Sequence, residues 1–83
     1  NDIDGTGMEY AAATGTPEPK GLHPSFVSKL IQKIGTAFDV IGAALVEVAP
    51  VLSLNRPGEP QKTLKMGCRY TLDMIEAMLS SRP

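Results

Sequence analysis

The feature that most restricts the fold is an apolar run without interruption, Val40-Ile41-Gly42-Ala43-Ala44-Leu45-Val46. A strand with one wet face alternates apolar and polar residues, whereas a continuous run suits a parallel strand covered on both faces. The run predicts a buried strand over 39–48, with Glu47 interrupting it at its C-terminal end. Helices are predicted on either side. Over 24–35, Phe26, Val27, Leu30, Ile31 and Ile34 form one stripe at helical spacing, and Lys29 and Lys33 lie on the wetter side. Pro24 suits the first helical turn and Gly35 the position just past the end. Over 61–80, Leu64, Cys68, Leu72, Ile75 and Leu79 recur at helical intervals and predict the packed face, with Gly67 a local weakness of about 1 kcal/mol relative to Ala.

The remaining segments are loops. Residues 1–22 contain Gly5, Gly7, Gly15, Gly21, Pro17 and Pro19, and residues 49–60 contain Pro50, Pro57, Gly58 and Pro60. The order strand end, loop, helix, strand, loop, helix is that of the tail of an α/β fold with a parallel sheet. In such sheets the site lies where loops leave the C-terminal ends of strands. Asp2-Ile3-Asp4 and Glu47 are both expected at such ends, so distant carboxylates converge on one sheet edge. The opening Asn1-Asp2-Ile3-Asp4 reads as a strand cut at its end, so the chain is expected to be a piece of a longer one, without a secretory leader.

Two carboxylates separated by one residue share a face of a strand and can reach one site. So close together they repel unless a cation or a shared proton lies between them, and hard oxygen ligands suit Mg²⁺, Ca²⁺ or Mn²⁺. A solvated turn or a helix N-cap is the bland alternative for Asp2 and Asp4. Glu47, after an apolar run, needs a partner if buried, and a bound cationic substrate is one candidate; the bland alternatives are exposure at the strand's end or a structural ion pair. Thr14-Gly15-Thr16-Pro17 offers hydroxyls to a substrate, and turn chemistry alone also explains it. His23 is expected at the entrance of the first helix as a cap or surface residue. Cys68 is expected buried and inert, and Met66, Met74 and Met78 are expected to fill core or interface.

Composition narrows the partners. The 83 residues carry a formal net charge of −1, which gives no electrostatic footprint for nucleic acid. No apolar stretch approaches the ~20 residues that span a bilayer. With 42 % apolar and 20 % charged residues the chain has the balance of a globular domain. Its one cysteine fits a reducing compartment, and a cytoplasmic location is expected.

Asp2-Ile3-Asp4-Gly5, then Ala13-Thr14-Gly15-Thr16-Pro17, then Glu47-Val48-Ala49-Pro50 resemble, in order and spacing, the signatures of the arginase–agmatinase (ureohydrolase) family. The resemblance covers essentially the whole chain. It implies the C-terminal piece of a three-layer α/β/α catalytic domain that uses two metal ions, usually manganese. Asp2 would match the aspartate bridging the two ions, and Asp4 a ligand of one. Glu47 would grip the guanidinium or amidinium group of an agmatine- or arginine-like substrate, with Thr14 and Thr16 nearby. The implied reaction is hydrolysis to urea and an amine. The implied partners are the guanidino substrate, the remainder of the same domain and further copies in a trimer or hexamer. The isolated chain, lacking the other ligands, is expected to be inactive. The sequence departs from the family pattern at Gly7, the third acidic position, and at Met8, Ala44 and Ala49. Those departures motivate the alternative of a non-catalytic structural or regulatory subunit.

Overall fold

The computed structural model describes residues 1–80, in which two α-helices, α1 (Pro24–Ala37) and α2 (Gln61–Ser80), pack against each other. Short 3-10 turns lie at Ile3–Gly5 and Pro50–Ser53. Helix α1 starts where its sequence allows. The Nδ1 atom of His23 accepts the N–H of Ser25 (3.0 Å), and Pro24 occupies the first position, where no N–H is needed. The helix runs past the expected end at Gly35, and Phe38 closes it by donating its N–H to Ile34 (2.9 Å).

Gly35 therefore has a different role from a C-terminal cap. A Cβ built on it would lie 2.7 Å from both Cα and Cβ of Ala77. The two helices approach through these small residues, with Ser28 of α1 also buried. A methyl at this crossing meets backbone, so the helices must move apart. Gly35→Ala is expected to destabilise the intact protein by about 1–3 kcal/mol, despite the roughly 1 kcal/mol of helix propensity that Ala adds. Chemical denaturation checks this: an unchanged or raised midpoint would contradict the close crossing.

The packed face of α2 is not the expected one. Thr63, Gly67, Tyr70 and Ala77 are buried, whereas Leu64, Leu72, Ile75 and Leu79 are exposed, as is Cys68. The buried set is itself spaced at helical intervals, but through small and polar side chains. Gly67 admits the extended segment, since a Cβ there would touch Leu45 Cδ2 at 3.2 Å. The core consists of Ile3, Ala11 and Tyr70, with Val27, Ile31, Leu45, Val48 and Met66 packed around it. Met66, Met74 and Met78 are partly buried.

Residues 39–48 form no strand of a ladder. The segment makes a single parallel bridge, Val46 with Asp2, through Ile3 N–H to Val46 O (3.2 Å) and Val46 N–H to Asn1 O (3.0 Å). Ile41 is 89 % exposed, and Ala43 and Ala44 are exposed as well. A buried parallel strand needs neighbours on both edges and layers on both faces. Among the described residues only the stretch at Asp2 pairs with this segment. Two further parallel bridges, Thr6 with Leu22 and Gly7 with Glu18, fold the first loop back on itself.

Candidate functional site

The acidic pair stands on a 3-10 turn rather than on a strand. Asp2 caps the turn: its Oδ1 accepts the N–H of Asp4 (2.9 Å). The Asp2 side chain is therefore tied to the Asp4 backbone through the turn and not aligned with Asp4 by strand alternation. Asp4 Oδ2 accepts the hydroxyl of Thr16 (2.5 Å). Its other oxygen, Oδ1, is buried and has no hydrogen-bond partner among the described residues. A carboxylate oxygen withdrawn from water without a donor suits a cation ligand. Asp2 and Asp4 thus fit a divalent ion as two oxygen donors. Among the described residues no group of three or more His, Cys, Asp or Glu is placed to hold one, so this pair is part of a ligand set at most.

The bridge between Asp2 and Val46 sets Glu47 directly beside the acidic turn in the fold. Glu47 is exposed, and its backbone lies in the left-handed region with φ 71°. That conformation costs a non-glycine residue about 1–2 kcal/mol, and such residues concentrate at functional sites. It also means that Glu47 does not continue the run before it. The chain turns there, and Ala49 then donates its N–H to Ala13 O (2.7 Å), so the segment after Glu47 is tied to the loop just before Thr14.

Thr14 is 3 % exposed, and its hydroxyl has no partner among the described residues. Thr16 is exposed and directed to Asp4. The two threonines therefore differ: one holds an unused donor and acceptor inside the fold, the other steadies an acidic side chain. His23, as the cap of α1, stands with its ring edge on Tyr10, 4.9 Å between centroids, and is not grouped with the carboxylates.

Several residues that support the site escaped the pattern of large apolar residues. Thr6 and Tyr70, both buried, share a hydrogen bond of 2.8 Å that joins the end of the acidic turn to α2. Burial pushes the Tyr70 hydroxyl above its ordinary value, although the bond from Thr6 opposes this. Glu59, only 5 % exposed, accepts from Ala12 N–H (2.7 Å) and from the N–H and hydroxyl of Thr63 (2.9 and 2.8 Å). Burial alone would raise the Glu59 carboxyl, but these donors, with Lys62 nearby, more than offset it and hold the group below its ordinary value. The one sequence signal for this arrangement was an acid immediately before Pro60 at the mouth of a helix.

Comparison with known proteins bears on this geometry. The sequence profile of the arginase family matches residues 1–76. The chain is 41 % identical over 74 residues to a mitochondrial agmatinase of Gallus gallus, covering 89 % of this chain and 20 % of that protein. It is 43 % identical over 54 residues to a mitochondrial guanidino acid hydrolase of Homo sapiens, covering 65 % of this chain and 15 % of that protein. The chain thus spans about a fifth or less of the length of these relatives. With the profile match running through the acidic turn, the threonine loop, Glu47 and most of α2, the chain belongs to the arginase family.

Proposed function

We propose that these residues form the C-terminal part of the catalytic domain of a binuclear-metal amidinohydrolase. In this reading Asp2 and Asp4 ligate manganese, and Glu47, Thr14 and Thr16 receive a guanidino substrate of the agmatine or arginine class. The observation that carries the reading is the Asp2–Val46 bridge. It brings the backbone next to Glu47 alongside the turn that carries Asp2 and Asp4, which supports a shared site. The names of the two relatives, an agmatinase and a guanidino acid hydrolase, support the same substrate class.

When bound, the metal pair supplies the Lewis acidity that makes water nucleophilic at neutral pH. In this reading residues of this chain help hold the ions and orient the substrate. Asp2 and Asp4 present hard oxygen donors from a turn stiffened by the Asp2–Asp4 and Thr16–Asp4 hydrogen bonds. Glu47 accepts charge-assisted hydrogen bonds from the planar cation and so orients its central carbon. Thr14 offers a hydroxyl that needs a partner.

The fold class is proposed on the same basis: a three-layer α/β/α domain in which the 39–48 segment becomes an inner parallel strand. The exposure of Phe38, Ile41, Val46, Leu72 and Leu79 is consistent with faces that the rest of the domain covers. No helix among the described residues is long and apolar enough to cross a membrane. A trimeric or hexameric assembly is proposed with the family. The cytoplasmic location expected from the single cysteine stands against the mitochondrial names of both relatives, and cell fractionation decides between them.

Urea release from agmatine, arginine and related guanidino acids, measured on the intact protein with and without added manganese, tests this function. Manganese-dependent urea release supports it. The second reading, a non-catalytic relative, is motivated by Gly7, Ala44 and Ala49. Absence of turnover in an intact, folded and metal-loaded protein would establish that reading instead.

A further inference from the structure

We infer that Glu59, together with Thr63, is a positioning residue for the substrate side of the site, acting through the backbone of Ala12 and Ala13 on the turn that begins at Thr14. The inference rests on the guanidino-hydrolase reading above and names the device that holds its threonine loop in place.

All four backbone polar groups of Ala12 and Ala13, two buried residues, are engaged. The N–H of Ala12 donates to Glu59 Oε2 (2.7 Å), and that of Ala13 donates to the Thr63 hydroxyl oxygen (2.9 Å). Ala12 O accepts the Ser53 hydroxyl (2.8 Å) and the Thr14 N–H (2.9 Å). Ala13 O accepts the N–H of Ala49, two residues beyond Glu47 (2.7 Å). Ala12 and Ala13 are therefore fixed from α2, from the 3-10 turn at Pro50–Ser53 and from the Glu47 segment at once. The next residue, Thr14, carries a buried hydroxyl without a partner among the described residues, and Thr16 reaches Asp4.

The chemistry at position 59 calls for a carboxylate. Three donors converge on its two oxygens: Ala12 N–H, Thr63 N–H and the Thr63 hydroxyl, which lies 2.8 and 3.0 Å from Oε1 and Oε2. An ionised carboxylate has acceptor sites only, and enough of them. Glutamine offers one oxygen and turns an NH₂ group toward a donor. A residue that served only to cap α2 would need its bonds to Thr63 alone. The bond to Ala12, 47 positions away in sequence, is what extends its reach to the loop.

The test uses the intact protein with its manganese. The variants are E59Q, E59A, T63V and T63S, and the readouts are KM, kcat, metal content and melting temperature. For the guanidino substrate that the wild type turns over best, E59Q, E59A and T63V are expected to raise KM about tenfold or more with metal content unchanged, because a small displacement of a positioning group is enough to misplace the cation. T63S keeps the hydroxyl and is expected to restore a KM close to that of the wild type. If the role were packing alone, T63V, which keeps the shape, would behave better than T63S. Wild-type KM in folded E59Q and T63V, with only melting temperature or kcat lowered, overturns the positioning role while leaving the function intact. A folded, metal-loaded wild type that hydrolyses no guanidino compound overturns the function, and the positioning role with it.

Discussion

Glu47→Gln in the intact protein is expected to lower kcat/KM by about 100-fold or more, because it keeps the side chain's shape and removes the charge that the substrate cation requires. Truncating one partner of a hydrogen-bonded charge pair inside a closed site costs about 2–5 kcal/mol. The left-handed backbone at this position strengthens the comparison. Glutamate and glutamine carry nearly the same steric cost there, so the difference between them reports the charge and not the fold. Steady-state kinetics with a guanidino substrate measures it, and a near-normal kcat/KM would remove Glu47 from the substrate site.

Asp4→Asn is expected to lower the manganese content of the intact protein and to cut activity by at least about 100-fold. Mutating residues one layer out from a metal typically costs 10–100-fold, so loss of a ligand's charge should reach or exceed the upper end. Asparagine can still accept the Thr16 hydroxyl through its amide oxygen, so the loop keeps that tie. What changes is the buried Oδ1, which has no donor among the described residues. Elemental analysis of metal per subunit, run beside the activity assay, decides the matter. Full manganese content with unchanged turnover would leave Asp4 as a partner of Thr16 and nothing more.

Helical periodicity made the two helices legible. Pro24 and the apolar stripe gave the start of α1, and the 61–80 interval was recovered as α2. What periodicity could not give was the side on which α2 packs. It weights large apolar residues, so it selected Leu64, Cys68, Leu72, Ile75 and Leu79. The contacts within this chain run instead through Gly35 against Ala77, Gly67 against Leu45, and the Tyr70 hydroxyl on Thr6. Close approach and hydrogen bonding select small and polar residues, and a hydropathy pattern does not register them.

The same limit applied around the site. Asp2, Asp4, Glu47, Thr14 and Thr16 stood out by residue type and motif, and the structure brings Glu47 beside the acidic turn. Their local geometry is not legible in the sequence, because a spacing of two predicts strand alternation where a 3-10 turn occurs. Glu59 and Thr63 leave little trace in the sequence beyond the acid before Pro60, because their partners, the N–H groups of Ala12 and Ala13, are backbone atoms far away in sequence. The 39–48 segment predicts a buried strand because residues 40–46 are apolar throughout. Burial depends on neighbours, and the described residues supply one edge, the pairing of Asn1 and Ile3 with Ala44 and Val46.

The positive φ of Glu47 has a consequence for how the family's members diverge. For folding alone, glycine is the favoured residue at a left-handed position and asparagine is better tolerated than most, so drift without functional constraint should move position 47 toward them. Under the proposed function, a relative that gave up hydrolysis but kept the fold would gain stability by that exchange. On the same reading, a carboxylate kept at this strained position would mark chains that still bind a cationic substrate.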